Sequence, residues 1–193
     1  MAAPSANRFG RVSPTRANHV AEDLGDEVSL ILDGGPCEVG VESTIVDLSR
    51  GTPVLLRPGG IDEVEIERVL GQAPGAPDAH APRASGTLAA HYAPQTPLEL
   101  VDSDRLTARI DQLLANRTSV AVWSRLRPRQ TDADVHWEPA ASSAQEYARE
   151  LYAMLRRLDA LGVGRLLIER VPDSGQWDAV RDRLARAAAT FSG

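Results

Sequence analysis

The 193-residue sequence predicts an α/β protein of two unequal units joined by a linker rich in alanine, proline and glycine. Strand-like and helix-like segments alternate regularly beyond residue 97. Thirteen of the twenty residues from 71 to 90 are Ala, Pro or Gly, and no apolar period survives there. Charge also divides unevenly: residues 1–97 hold 7 arginines against 13 acids, whereas residues 98–193 hold 14 of each. The expected boundaries are therefore 1–70, 71–97 and 98–193.

In the first unit, Ser13-Pro14 reads as an N-cap followed by a first helical residue. Ala17, Val20, Ala21 and Leu24 then share one helical face, and Gly25 ends the helix. Three strands are expected, at 28–33 (VSLILD), 40–47 (GVESTIVD) and 53–57 (PVLLR). Asp62 with Glu65 forms a capping box for a short helix that stops at Gly71. Three strands and two short helices make an incomplete unit, with no helix long enough to cover a sheet.

The second unit is more regular. LELV at 98–101, SVAVWS at 119–124 and RLLIERV at 165–171 read as strands. VHWEP at 135–139 is a further candidate. Leu106, Ile110, Leu113 and Leu114 mark one helix. Ser143 with Glu146 caps a longer one that carries Tyr147, Leu151, Leu155 and Leu158 and ends at Gly162. Trp177, Val180 and Leu184 mark the last helix. Such alternation points to a small Rossmann-like α/β domain with a parallel sheet.

Composition excludes several chemistries. All 21 cationic Lys and Arg positions are arginine, so no phosphate-loop lysine, Schiff-base lysine or Ser-Lys pair exists within the chain. A single cysteine, Cys37, excludes an internal disulfide framework and a cysteine-rich zinc site. The four histidines are scattered and suggest no metal set, so no metal-ligating residue is assigned. No apolar run approaches the roughly 18 residues of a membrane span. The first residues lack a signal-peptide pattern, so a cytoplasmic location is expected. A net charge of −6 argues against tight RNA binding; Arg125, Arg127 and Arg129 form a basic loop that reads first as a solvated loop and second as a weak RNA-phosphate contact.

Four polar stretches remain as site candidates. SANRFGRVSPT (Ser5 to Thr15) sets hydroxyl, amide and backbone N–H groups beside a helix start, which suits either an anion cradle or a simple capped turn. VESTIVDLS puts Ser43 and Thr44 within a strand, as ligand hydroxyls or as ordinary strand residues. Glu42 alone is a weak metal ligand. LLRPGG ends a strand at Arg57, whose planar fork suits phosphate and equally suits a surface charge. HYAPQTP brings His91 and Tyr92 to the end of the linker, as base-stacking groups or as an anchor.

Taken in order, APSANRFGRVSPT, LILDGGPCEVGVESTIVD, LLRPGG and ASGTLAAHYAPQTPL closely resemble the long form of the YrdC-like L-threonylcarbamoyladenylate synthases. The likeness covers residues 2–97 by motif and residues 98–193 by pattern. It implies the C-terminal part of a YrdC-like twisted-sheet domain, followed by the small α/β domain. It also implies synthesis of threonylcarbamoyl-adenylate from L-threonine, bicarbonate and ATP with Mg²⁺, releasing pyrophosphate. The product serves a tRNA modification, so tRNA-modification enzymes are indirect partners. Ser5, Asn7, Ser13, Arg57 and Tyr92 correspond to ATP-binding positions, and Ala3 and Ser43 to positions lining the threonine pocket. The segment holding Tyr92 corresponds to a lid over the nucleotide. No general base is identified, so the catalytic residue is left open.

The family's K-x-R half of the phosphate grip is absent, as it must be in a chain without lysine. The resemblance places it upstream, within a stretch of about a domain's length, on the order of 100 residues. The expectation is that Met1 marks an internal valine codon read as an initiator, with a genuine truncation or a split gene as the alternatives. The 193 residues alone should then have little synthase activity. A non-catalytic nucleotide- or RNA-binding module, or a scaffold, is the alternative reading.

Overall fold

A computed structural model describes residues 4–127 and 132–191. Its elements run α1 (Ala17–Leu24), β1 (Ile45–Asp47), β2 (Val54–Arg57), α2 (Glu63–Leu70), β3 (Leu98–Val101), α3 (Leu106–Ala115), β4 (Val120–Ser124), β5 (Val135–Pro139), α4 (Ala144–Asp159), β6 (Arg165–Glu169) and α5 (Asp178–Ala189). A short 3₁₀ turn at Gly175–Trp177 leads into α5.

The second unit follows the expected rhythm. Its four strands lie in the order β3-β6-β4-β5, and every neighbouring pair is parallel. Strand period sorts the side chains. Val120 and Val122 join Leu106, Ile110 and Leu113 of α3 in one apolar cluster. Ala121 and Trp123 point the other way, into a larger cluster with Leu151, Leu155 and Leu158 of α4 and Val180 and Leu184 of α5. Both faces of the sheet are therefore covered, as a parallel sheet requires. Ser143 caps α4 by accepting from the Glu146 amide at 3.3 Å. The helix closes at Ala160, and Gly162 follows with a positive φ of 67°.

The first unit has far less regular structure. β1 and β2 form an antiparallel pair with an irregularity between Ile45 and Val46. Gly75 of the linker extends it, since Leu55 donates to the Gly75 carbonyl and Gly75 to that of Pro53, both at 2.9 Å. The Asp62 cap holds as expected: its carboxylate accepts from the Glu65 amide at 2.8 Å, and Gly71 ends α2 in the left-handed conformation.

Three expectations need correction. Residues 28–33 are not a strand among the described residues. Leu30 and Leu32 stand 76% and 84% exposed, because apolar residues become a strand only where a partner edge takes up their backbone groups. The strand expected at 40–47 contracts to β1. The third correction is the helix start: Ser13 does not cap α1, which begins at Ala17 with Arg16 at the N-cap position and no side-chain bond. The buried residue of α1 is His19, while Ala21 is exposed. The imidazole Nδ1 of His19 accepts from the Thr15 amide at 3.1 Å.

The two units share a core. Val12 and Tyr92 belong to the same buried cluster as α4 and α5. Arg156 of α4 donates to Asp23 of α1 at 2.9 Å and to the Val12 carbonyl at 2.6 Å. Asp159 at the end of α4 accepts from the amides of Gln95 and Thr96 at 2.8 and 2.7 Å. This pins the exit of the linker. Of the basic loop, Arg125 pairs with Glu169 at 2.7 Å, and Arg129 lies outside the described residues. No described helix is long and apolar enough to cross a membrane.

Candidate active site

The turn after β2 sets the first part of the site. Arg57, the last residue of β2, is only 6% exposed. Its Nε and Nη2 donate to the Ser43 carbonyl at 3.0 and 2.8 Å. Nη2 also reaches Ser43 Oγ at 3.3 Å, and Nη1 donates to the Ser85 carbonyl at 2.8 Å. A guanidinium has five N–H donors, so one hydrogen on Nη1 remains for a ligand. Gly59 fixes the approach: a Cβ there would overlap the backbone of Glu42, Ser43 and Thr44. Thr44 is consumed by the same turn, donating to the Ile61 carbonyl at 2.7 Å and accepting from its amide at 3.1 Å.

The linker closes over this arginine. Besides the Ser85 contact, a Cβ on Gly86 would collide with the Tyr92 hydroxyl and lie 3.2 Å from Arg57 Nη1. Tyr92 is 2% exposed and holds a positive φ of 60°, uncommon for a bulky residue. Its neighbours impose it: the His91 amide donates to the Arg186 carbonyl at 3.2 Å and the Ala93 amide to the Gly10 carbonyl at 2.9 Å. The His91 ring packs edge-on to Tyr92 and also to Phe9. Burial, the larger effect, and the nearby Glu42 charge push the Tyr92 phenol up. Burial holds the His91 imidazole below its ordinary value.

Asn7 is tied to the segment that pairs with the linker's end. Its Nδ2 donates to the carbonyls of Arg8 and Arg11 at 3.0 and 3.1 Å, and Arg11 pairs with Ala93. Asn7 Oδ1 is buried without a partner among the described residues. Its unspent capacity is thus an acceptor, suited to a donor on a ligand.

At the centre stands Glu42. Oε1 accepts from Ser13 Oγ at 2.8 Å, and Oε2 accepts from Tyr152 Oη at 2.8 Å and Arg183 Nε at 2.9 Å. Arg183 is wholly buried. Its guanidinium lies 5.4 Å from the centre of the Tyr92 ring, which stacks on Tyr152 at 5.4 Å.

The structure thus links Ser13 and Ser43 through Glu42, and Ser43 with Arg57 and the linker at Tyr92; Asn7 is joined to them only through Arg11, which pairs with Ala93. Ser5 sits on the exposed segment leading into Asn7, and Ala3 lies outside the described residues. Glu42 is legible only as a weak metal ligand, and Tyr152 and Arg183 escape sequence reasoning, although an arginine three residues after Val180 on an apolar helical face is a signal. Among the described residues no three His, Cys, Asp or Glu side chains converge to hold a metal. A cavity of about 500 Å³ opens beside Val41 and Gly59, lined also by Pro58, Ile61, Ser143 and Trp177 among others; no expected site residue lines it. A guanidinium, hydroxyls and an amide with no paired nucleophile and base can bind and orient an anionic ligand.

A family model described as threonylcarbamoyl-AMP synthase, C-terminal domain, matches residues 61–189. One described as telomere recombination matches residues 1–59. The threonylcarbamoyl-AMP synthase of Pyrococcus abyssi is 38% identical over 97% of this chain and 57% of its own length. That of Bacillus subtilis is 36% identical over 97% of this chain and 57% of its own. The crystal structure of P. abyssi Sua5 complexed with L-threonine superposes with a TM-score of 0.81 at 36% identity, covering 97% of this chain and 57% of that one. The chain thus spans just over half the length of these relatives. With 129 consecutive residues matched by the C-terminal-domain model, 61–189, the chain belongs to the threonylcarbamoyl-AMP synthase family.

Proposed function

We propose that the chain serves threonylcarbamoyl-AMP synthesis from L-threonine, bicarbonate and ATP, in the service of tRNA modification. The observation that carries this reading is the Ser43–Arg57–Ser85 contact, in which one buried guanidinium ties a polar strand end to the linker beside Tyr92. In the reaction an oxygen of the threonine carbamate attacks the α-phosphorus. The bond to the bridging oxygen breaks, and pyrophosphate leaves with the electron pair. Such transfer depends on alignment and charge neutralisation more than on covalent catalysis.

Roles for the residues follow from their free valences. Arg57 neutralises the phosphate through its remaining Nη1 hydrogen. Ser43 lines the threonine pocket, with Ala3 assigned there by resemblance. Tyr92 and residues 71–97 close over the nucleotide and exclude water. Ser13, its hydroxyl hydrogen held by Glu42, offers the nucleotide its oxygen as an acceptor. Ser5 approaches from the exposed segment. Asn7 Oδ1, an acceptor, suits a ribose hydroxyl or a water of Mg²⁺ and not a phosphate oxygen. Mg²⁺ travels with ATP and supplies further phosphate neutralisation. Among the described residues no carboxylate set is gathered to hold it.

Without lysine these 193 residues cannot supply the K-x-R half of the family's phosphate grip, so slow turnover is expected of them alone. The test is calorimetric binding of ATP and L-threonine together with pyrophosphate release. Threonine-dependent ATP binding, with any release requiring both threonine and bicarbonate, is the expected result. ATP binding indifferent to threonine would point instead to a non-catalytic nucleotide-binding module.

A further inference from the structure

Resting on that reading, we propose that Glu42 is a positioning residue, clamped by Tyr152 and Arg183 of the C-terminal α/β unit so that the unit sets the Ser43–Arg57 contact from behind. Three donors from three separate segments converge on this one carboxylate. Ser13 comes from the stretch before α1, Tyr152 from α4 and Arg183 from α5. The residue that follows Glu42 is Ser43, whose carbonyl is the double acceptor for Arg57. The peptide between them cannot drift forward, because Gly59 is packed against it with no room for a Cβ. It is therefore gripped between the turn after β2 and the Glu42 clamp, and a rotation of Glu42 is transmitted to Ser43.

Energetics favour a purpose beyond stability. Arg183 is fully buried on a helical stripe where Val180 and Leu184 are apolar. Apolar replacement of a buried ion pair is often neutral or stabilising. Yet the fold retains the pair, satisfies Nη1 with Asp182 at 2.6 Å and leaves Nη2 buried without a partner among the described residues. The guanidinium and Tyr152 also both pack on the Tyr92 ring. One carboxylate thus coordinates the placement of Ser13, Ser43 and Tyr92.

Glu42 is poorly suited to act as a proton acceptor itself. Burial works to raise its carboxyl, but the Arg183 charge and the hydrogen bonds from Arg183 and Tyr152 outweigh it and hold the group below the ordinary carboxylate value. Its lone pairs face donors already in place. Its effect is therefore geometric.

The guanidinium Nε–H signals of the ¹⁵N-labelled full chain provide the test. Tyr152→Phe keeps the ring stack and removes only the hydroxyl on Glu42. The Arg57 Nε–H resonance should shift, or exchange with solvent about tenfold faster, although the Tyr152 hydroxyl bonds to Glu42 and not to Arg57. Glu42→Gln should reproduce the change. Ile110→Ala, on the opposite face of the sheet, serves as a destabilised control and should leave the signal in place. An unmoved Arg57 signal in Tyr152→Phe overturns the proposal, as does an equal change in Ile110→Ala. A second arm measures L-threonine affinity, with about a tenfold loss expected in Tyr152→Phe and an unchanged affinity counting against the clamp. If the wild-type chain binds no threonine, the synthase reading fails, and the Arg57 resonance still decides the clamp.

Discussion

Gly40 lies against Ala148 so closely that a Cβ on the glycine would overlap the alanine carbonyl oxygen and the Arg149 Cα. The contact joins the segment leading into Glu42 to the outer turns of α4. It also needs the positive φ of 84° that Gly40 adopts. Gly40→Ala should therefore lower stability by about 1–3 kcal/mol, read as a drop in the urea midpoint. A midpoint equal to wild type would mean that α4 shifts away without cost.

Arg57→Lys keeps the charge and loses the fork. Lysine cannot replace two donors to the Ser43 carbonyl and a third to Ser85. We expect a loss of stability of about 1–3 kcal/mol from carbonyls left unpaired, and weaker ATP binding by an order of magnitude or more. Full retention of ATP affinity by titration calorimetry would remove Arg57 from the nucleotide site.

His19 predicts a pH dependence. Burial chiefly, then the charge of Arg156, holds its imidazole below the ordinary value of 6.5. The unfolded chain therefore takes up the proton first. Stability is intact above pH 6.5 and is lost as pH falls from there toward the folded value. His91 is depressed in the same direction, mainly by burial, and adds to the slope. Glu42 acts lower: its contribution is lost only below the ordinary carboxylate value of 4.5. His19→Asn retains an acceptor for the Thr15 amide and should flatten part of the decline in urea midpoint between about pH 7 and pH 5.5. An unchanged slope would exclude His19 as its source.

Asp159→Ala should release the end of the linker. Two backbone amides, of Gln95 and Thr96, lose their acceptor, at a cost of about 1–2 kcal/mol. Local opening should exceed that loss. Arg83 is the single arginine of residues 71–97, so trypsin cleavage after Arg83 is a clean reporter and should accelerate. Cleavage at the wild-type rate would show that the shared core holds the linker without this tether.

Legibility in the sequence followed the range of the interactions involved. Asp62, Ser143 and Gly71 were readable because caps are satisfied by amides a few residues away. The parallel unit was readable because period 2 and period 3.6 are written into neighbouring residues such as Val120, Ala121, Val122 and Trp123. Ser13 misled because the same hydroxyl serves a local cap or a distant carboxylate, and the carboxylate took it. Residues 28–33 misled because a strand depends on a partner edge that local pattern does not encode. Glu42 was legible only as a weak metal ligand, since its ion-pair partner Arg183 stands 141 residues away.

That separation has a kinetic meaning. Tyr152 and Arg183 reach Glu42 across 110 and 141 residues, and Arg156 reaches the Ser13 carbonyl across 143. Contacts of such range form late, because the loop entropy they close must be met before they return any energy. During synthesis the Ser43 region emerges long before α5 exists to hold it. Ligand-binding competence should therefore appear abruptly, as one of the last events of folding, and not grow in step with chain length.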